Sequence, residues 1–278
     1  MTNSHLPLPA ALSADSGLSR RRFMVALSSS IVAGVGLARC VVDGPPSMAA
    51  APRIPAKPKP SGMQLALPGG GELSSLPEAA GNRLAITLDD GVSSEVVRAY
   101  TQLAKDTGIR LTYFVNGKYH SWTENRDLMR PLVDSGQIQL GNHTWSHPDL
   151  AKLPKDQIVD QLERNHEFLR NTFGVDPRPY YRPPYGSHNA IVDAVAKELG
   201  YSIPTMWTGS LGDESIVTED YILKMAAKYF TEQTVVIGHL NHLPVTHVYG
   251  QLVDLLKDRN LRTVTLDDVF RKPHDLAG

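Results

Sequence analysis

The chain has 278 residues, a formal net charge of −1, 41% hydrophobic and 21% charged residues, and a single cysteine. Apolar content at the globular norm excludes wholesale disorder, and the near-zero charge balance leaves no electrostatic footprint for nucleic acid. One cysteine excludes an intramolecular disulfide and a cysteine-based zinc ribbon, so any metal must be held by His, Asp or Glu; no run approaches the ~20 apolar residues of a membrane-spanning helix.

Residues 1–40 read as an export signal. Ser19-Arg20-Arg21-Arg22-Phe23-Met24 is a compact basic cluster, and Val25 to Ala38 is a short apolar stretch diluted by serine and glycine. The cluster resembles a twin-arginine signal, with Met24 where leucine is usual. Leu37-Ala38-Arg39-Cys40 partly resembles a lipoprotein cleavage box, although Arg39 stands where a small residue belongs; cleavage after Ala49 is the competing choice. The expected destination is the envelope or the medium, with membrane attachment only through the signal or a lipid on Cys40. Residues 41–82, rich in Pro, Gly and Ala, lack apolar periodicity and are expected to form an extended, solvated linker.

From Arg83 the pattern changes to alternating apolar runs and amphipathic segments. Leu84 to Leu88 reads as a buried strand, and Val96, Val97, Tyr100, Leu103 and Ala104 fall at helical spacing in the segment that follows. Strands are expected at 111–115, 138–140, 180–181, 201–207, 234–238 and 262–266. Helices are expected at 125–135, 155–173, 189–199, 218–230 and 247–259. Seven strands separated mostly by helices predict a parallel α/β fold, a barrel or a doubly wound sheet, over 83–270, with 271–278 as a tail.

Polar residues collect where these strands end, on the rim where parallel α/β folds bind ligands. Asp89-Asp90-Gly91 follows the first strand. Alone it would be a turn, but two adjacent carboxylates at a partly buried strand end repel unless a cation or arginine offsets them. His143 and His147 follow the third strand, and a helical turn there would bring both imidazoles together. One carboxylate with these two histidines makes the three-ligand, open-position composition of a catalytic zinc site. Arg182, stiffened by Pro183-Pro184, is suited to gripping a carboxylate. Trp207 fits a core position or a pocket wall. His239, ending the run Val235-Val236-Ile237-Gly238, would by itself be an ordinary core histidine.

Thr87-Leu88-Asp89-Asp90-Gly91, His143-Thr144-Trp145-Ser146-His147, Arg182-Pro183-Pro184-Tyr185, Asp213 and Ile237-Gly238-His239 together resemble the polysaccharide deacetylases, carbohydrate esterase family 4, over about 83–270. The resemblance implies a distorted (β/α) barrel with fewer than eight repeats. It also implies a hydrolase that removes N-acetyl groups from an acetylated polysaccharide such as peptidoglycan or a chitin-like polymer. Asp90, His143 and His147 would hold a divalent metal, usually zinc, with cobalt or nickel as substitutes. Asp89 would be the general base, Arg182 its orienting partner, His239 the general acid and Asp213 the stabiliser of the protonated acid. Tyr185 would offer a backbone N–H to the oxyanion, while Pro183, Trp207 and Ile237 would contact substrate. Three positions depart from the family pattern: Leu88 for phenylalanine, Ile237 for leucine, and Glu214 for a groove-lining tryptophan.

Three other readings share these residues. An O-acetyl esterase acting on xylan would use the same centre on a better leaving group. A carbohydrate-binding protein could keep the metal as a structural element without turnover. A two-His-one-carboxylate iron oxygenase matches the donors, though not the separate acid and base.

Overall fold

The computed structural model describes residues 64–68 and 71–270. The export signal, Cys40, most of the linker and the tail at 271–278 lie outside the described residues.

β1 (Arg83–Asp90) is buried along nearly its whole length because neighbours cover both of its faces. α1 (Ser94–Thr107) starts where the Ser93 side chain accepts the Val96 N–H, and it stops at Gly108 in the left-handed region. Then follow β2 (Leu111–Val115), α2 (Ser121–Glu124), α3 (Arg126–Asp134), β3 (Ile138–Asn142) and α4 (Lys155–Phe173). The second half runs β4 (Tyr180–Tyr181), α5 (Ala190–Glu198), β5 (Ile203–Pro204), β6 (Gly209–Ser210), α6 (Glu219–Tyr229), β7 (Val235–His239), α7 (Tyr249–Asp258), β8 (Arg262–Thr263) and α8 (Leu266–Val269). Every strand pair is parallel; the order is β5-β4-β3-β2-β1-β7-β6, with β8 against the start of β1. This is the expected barrel-like (β/α) fold. β5 and β6, adjacent in sequence, form the two ends of the order. Among the described residues no helix is long and apolar enough to cross a membrane.

Strand parity sorts the side chains into two cores. Leu84, Ile86 and Leu88 of β1 and Val236 of β7 pack outward with α1, α3, α6 and α7. Ala85, Phe114, Tyr180, Ile203 and Val235 face inward and meet Val264, Leu266, Val269 and Phe270 from the C-terminal end. The same alternation carries Asp89, Arg182, Ile237 and His239 to the inner face, two or four residues beyond these inward positions.

Two expectations change. The segment before Arg83 is not all solvated linker: Leu73, Leu76 and Ala80 are buried in the inner core. Its backbone is also paired. The Leu73 N–H donates to the Pro204 carbonyl at 2.8 Å, and that of Leu76 to Gln233 at 2.7 Å. Isolated leucines without periodicity carry no local signal, so only the tertiary context shows that they fill the barrel. The expected strand at 201–207 is split. β5 stops at Pro204: the Thr205 N–H still donates to the Tyr181 carbonyl at 2.8 Å, but the Met206 N–H turns to the Leu73 carbonyl at 2.8 Å. Pairing resumes at β6, leaving Trp207 in the connection rather than on a strand.

Candidate active site

β1 ends in Asp89 and Asp90, and Asp90 itself sits at φ 74°. Gly91 follows at φ 93°, where a Cβ would lie 2.1 Å from the Trp122 ring, so only glycine closes this turn. Thr144, His147 and Tyr185 also adopt positive φ, of 70°, 64° and 59°. Four non-glycine residues in that region around one pocket mark a backbone held to shape by its surroundings.

Asp90 meets both histidines. Its Oδ1 lies 3.5 Å from His143 Nε2 and 3.5 Å from His147 Nε2. The ligand atoms of Asp90, His143 and His147 all fall within 4.8 Å of one another. The two 3.5 Å separations exceed ordinary hydrogen bonds of about 2.7–3.2 Å. They are close to the edges, about 3.3–3.4 Å, of a tetrahedron whose metal bonds are about 2.0–2.1 Å. His143 Nδ1 is 2.7 Å from the Arg182 carbonyl, an acceptor; Nδ1 therefore carries a proton, and Nε2 is the nitrogen directed at Asp90.

The histidine segment is not helical. It leaves β3 and turns at Thr144 and His147, pinned by Thr144 N–H on Asn142 Oδ1 (2.9 Å) and His147 N–H on Thr144 Oγ1 (3.1 Å). Asn116, at the exit of β2, donates its amide to the carbonyls of His143 and Thr144. Asn142 donates to the Leu162 carbonyl (2.9 Å) and the Tyr201 hydroxyl (2.8 Å), and Asn165 donates to Asn142 Oδ1 (2.8 Å). These three asparagines carry no recognisable motif. Asn142, the last residue of β3, and Asn116, just past β2, had a positional signal at strand ends on the same rim; Asn165, inside α4, had none.

Asp89 is held differently from its neighbour. Arg182 Nη1 donates to Asp89 Oδ1 at 2.7 Å, and Asp89 Oδ2 stands 3.5 Å from His143 Nε2. Arg182 is completely buried, donates through Nε to the Thr205 carbonyl (2.8 Å) and lies 4.2 Å above the Phe114 ring. On the other side, His239 Nδ1 lies 3.0 Å from Asp213 Oδ1, and the His239 N–H donates to Asp213 Oδ2 at 3.2 Å.

The electrostatics separate these groups. Burial works against a charged His239, but the Asp213 hydrogen bond and charge, with Asp89 and Asp90 behind, raise it to about 9. Burial, with the neighbouring His143 charge, pushes His147 down to about 4 and keeps it neutral. Burial also opposes an ionised Asp90, yet His143, Asn241 and His147 hold its carboxyl well below the usual range. His143, despite burial, is raised by Asp89 and Asp90.

All these elements open into one cavity of about 590 Å³, lined by Asp89, Asp90, His143, His147 and His239 together with Pro183, Tyr185, Trp207, Ile237 and Glu214. Every candidate residue named from the sequence is therefore at this cavity or directly behind it. Arg182 and Asp213 form the backing, behind Asp89 and His239. Tyr185 is 71% exposed, and its ring meets that of His147 edge-on at 4.6 Å. Asn241, to which no role was assigned from sequence, donates to Asp90 Oδ2 at 2.7 Å.

Residues 77–204 match the family model of polysaccharide deacetylase. The peptidoglycan-N-acetylglucosamine deacetylase PgdA of Listeria monocytogenes is 28% identical over 205 residues, which are 73% of this chain and 42% of that protein. A chitin deacetylase of Pestalotiopsis is 31% identical over 196 residues, 66% of this chain and 62% of its own length. The chain thus spans about two fifths of the length of the Listeria relative. Among solved structures, the chitin deacetylase of the fungal pathogen Colletotrichum lindemuthianum superposes with a TM-score of 0.66 at 25% identity, covering 75% of this chain and 96% of that one. The Asp89-Asp90-Gly91, His143 to His147 and Arg182 to Tyr185 motifs fall inside the matched stretch, while Asp213 and His239 lie beyond it: over residues 77–204 the chain matches a polysaccharide deacetylase domain.

Proposed function

We propose that this chain is an exported, divalent-cation-dependent hydrolase that removes N-acetyl groups from an N-acetylglucosamine polymer, peptidoglycan or a chitin-like glycan. The observation that carries the reading is the division of labour between two adjacent carboxylates. Asp90 faces two histidine nitrogens at 3.5 Å each, while Asp89 is tied to the buried Arg182 at 2.7 Å. The relatives' names, peptidoglycan and chitin deacetylases, support the substrate class. Those polymers lie outside the cytoplasm, which agrees with the twin-arginine-like leader.

Asp90, His143 and His147 fit a divalent cation by donor chemistry and by spacing. Two neutral imidazoles and one carboxylate suit zinc, and cobalt and nickel accept the same donors. When bound there, such a cation polarises the acetyl carbonyl and acidifies water.

The protein's own groups do the rest. Asp89 accepts the proton of the attacking water as the new C–O bond forms. Arg182 touches no substrate; it positions Asp89 by occupying Oδ1, so that Oδ2 is the atom left facing the cavity. The Tyr185 N–H donates to the acetyl oxygen as charge gathers there, an interaction of a kind worth ~3–4 kcal/mol in other enzymes. An amine anion is not a viable leaving group, so the C–N bond breaks as His239 passes a proton to nitrogen. Asp213, on the other ring nitrogen, keeps that imidazole protonated beforehand. Pro183, Trp207 and Ile237 give the acetyl methyl and the sugar an apolar wall.

The test is acetate release by the full chain from N-acetylglucosamine oligomers and from peptidoglycan, abolished by a chelator and restored by zinc. Acetate from acetylxylan alone would assign an O-acetyl esterase instead. Glycan retention without acetate from any substrate would leave a binding protein.

A further inference from the structure

We infer that Asn241 is a positioning residue for the metal carboxylate: its side-chain amide dictates which oxygen of Asp90 faces the two histidines. The inference rests on the cation-dependent reading above and goes beyond its ligand set, because Asn241 is in neither the acid/base pair nor the three ligands.

Asn241 lies two residues after His239 in the segment that leaves β7. Its amide bridges two points of the β1 exit. Nδ2 donates to Asp90 Oδ2 at 2.7 Å, and Oδ1 accepts the backbone N–H of Val92 at 3.2 Å. The second contact removes the usual ambiguity of an asparagine amide. A flipped group would set an oxygen against a carboxylate oxygen and an NH₂ against an N–H, so only one orientation satisfies both partners. The segment is itself fixed. The Leu240 N–H donates to the Asp89 carbonyl at 3.0 Å, and the Ser93 N–H to the Leu240 carbonyl at 3.1 Å. Asn241 is thus presented on a double backbone clip between the exits of β7 and β1.

The consequence falls on Asp90. Its two oxygens are chemically equal, and rotation about the carboxylate would exchange them or offer both to a cation. With Oδ2 engaged by Asn241, Oδ1 is the atom at 3.5 Å from both His143 and His147. Asp90 is therefore prepared as a one-oxygen ligand. A neutral amide suits this task because it orients the carboxylate without cancelling the charge that attracts a cation, as lysine or arginine would. The same short segment carries His239, so the acid and the orienter of the metal ligand move together.

The test compares the full chain with Asn241→Leu and Asn241→Ala, with no substrate present. Zinc affinity is read by competition with a chromogenic chelator, coordination by the visible spectrum of the cobalt-loaded protein, and folding by melting of the metal-free forms. Both variants are expected to bind zinc about 10–100-fold more weakly, the range typical for loss of such a partner. Their cobalt spectra should change as Asp90 rotates, while the metal-free melting points stay near that of the unsubstituted chain. Zinc affinity within twofold of the unsubstituted chain and an unchanged cobalt spectrum would overturn the role. So would a metal-free melting point that falls in step with affinity, since Asn241 would then only pack the loop. If the unsubstituted chain itself binds no zinc, the functional reading fails and this inference with it. If it binds zinc but releases no acetate, the function alone fails.

Discussion

At the residue scale, the adjacent carboxylates separate binding from proton transfer, and each assignment has its own signature. Replacing Asp89 by Asn keeps the shape and the Arg182 contact but removes the proton acceptor. Turnover is expected to fall about 10²–10⁴-fold, the usual worth of a positioned base, while zinc content by metal analysis stays at that of the unsubstituted chain. Loss of metal together with activity would instead make Asp89 a ligand. His239 must be protonated when the amine departs. The Asp213 contact, with the charges of Asp89 and Asp90, raises it to about 9 against the pull of burial. A cation among Asp90, His143 and His147 offsets part of that negative charge. The alkaline fall of kcat/KM in the loaded enzyme is therefore expected between the ordinary histidine value of 6.5 and about 9. Activity is present below that point and lost as pH rises through it. Asp213→Asn removes the largest upward influence and leaves burial, so the fall should move to lower pH. A profile unmoved by Asp213→Asn would detach His239 from the proton transfer.

At the element scale, strand parity is what converts this sequence into a site. Glycine at position 141 on β3 is part of that conversion: a Cβ there would lie 2.6 Å from the Phe114 ring, the ring on which the Arg182 guanidinium rests at 4.2 Å. Gly141→Ala is expected to cost about 1–3 kcal/mol by overpacking, seen as a lower melting point. It should also reduce kcat by more than that loss of folded protein explains, because the displaced ring carries Arg182 with it. Full turnover in a folded Gly141→Ala protein would break the chain from Gly141 to Asp89. Those parts of the design were readable in advance where a local rule sufficed. Apolar runs gave β1, β2 and β7, helical spacing gave α1 and α4, and the polar residues at the strand ends gave Asp89, His143, Arg182 and His239. What stayed hidden depends on distant partners. Asn116, Asn142, Asn165 and Asn241 work through amides that meet groups 20 or more residues away. The spacing of His143 and His147 suggested a helical turn, but positive φ at Thr144 and His147 brings the rings together, 4.9 Å apart, without one.

At the scale of the whole molecule, the inner core is closed by both ends of the described chain. Leu73, Leu76 and Ala80 enter from before β1, and Leu266, Val269 and Phe270 from after β8. Leu65 pairs with Phe270, its N–H donating to the Val269 carbonyl at 2.7 Å, so the two ends also bind each other. The C-terminal end is anchored independently: Arg110, just before β2, donates to Asp268 in α8 at 2.8 Å through Nη2. This floor lies under the site, since Phe114 belongs to the same core and supports Arg182 from below. A chain beginning at residue 64 keeps every one of these contacts and serves as the reference. A chain beginning at residue 83 removes the burial of Leu73 and Leu76, about 1.5–3 kcal/mol for each side chain. That is a large part of the ~5–15 kcal/mol that holds a typical domain together. At about 2–4 °C per kcal/mol for a domain of this size, its melting point should drop by roughly 6–24 °C. Acetate release should decline in parallel as Phe114 and Arg182 lose their support. Equal melting points for the two truncated chains, measured side by side by circular dichroism, would return residues 64–82 to the role of a spacer.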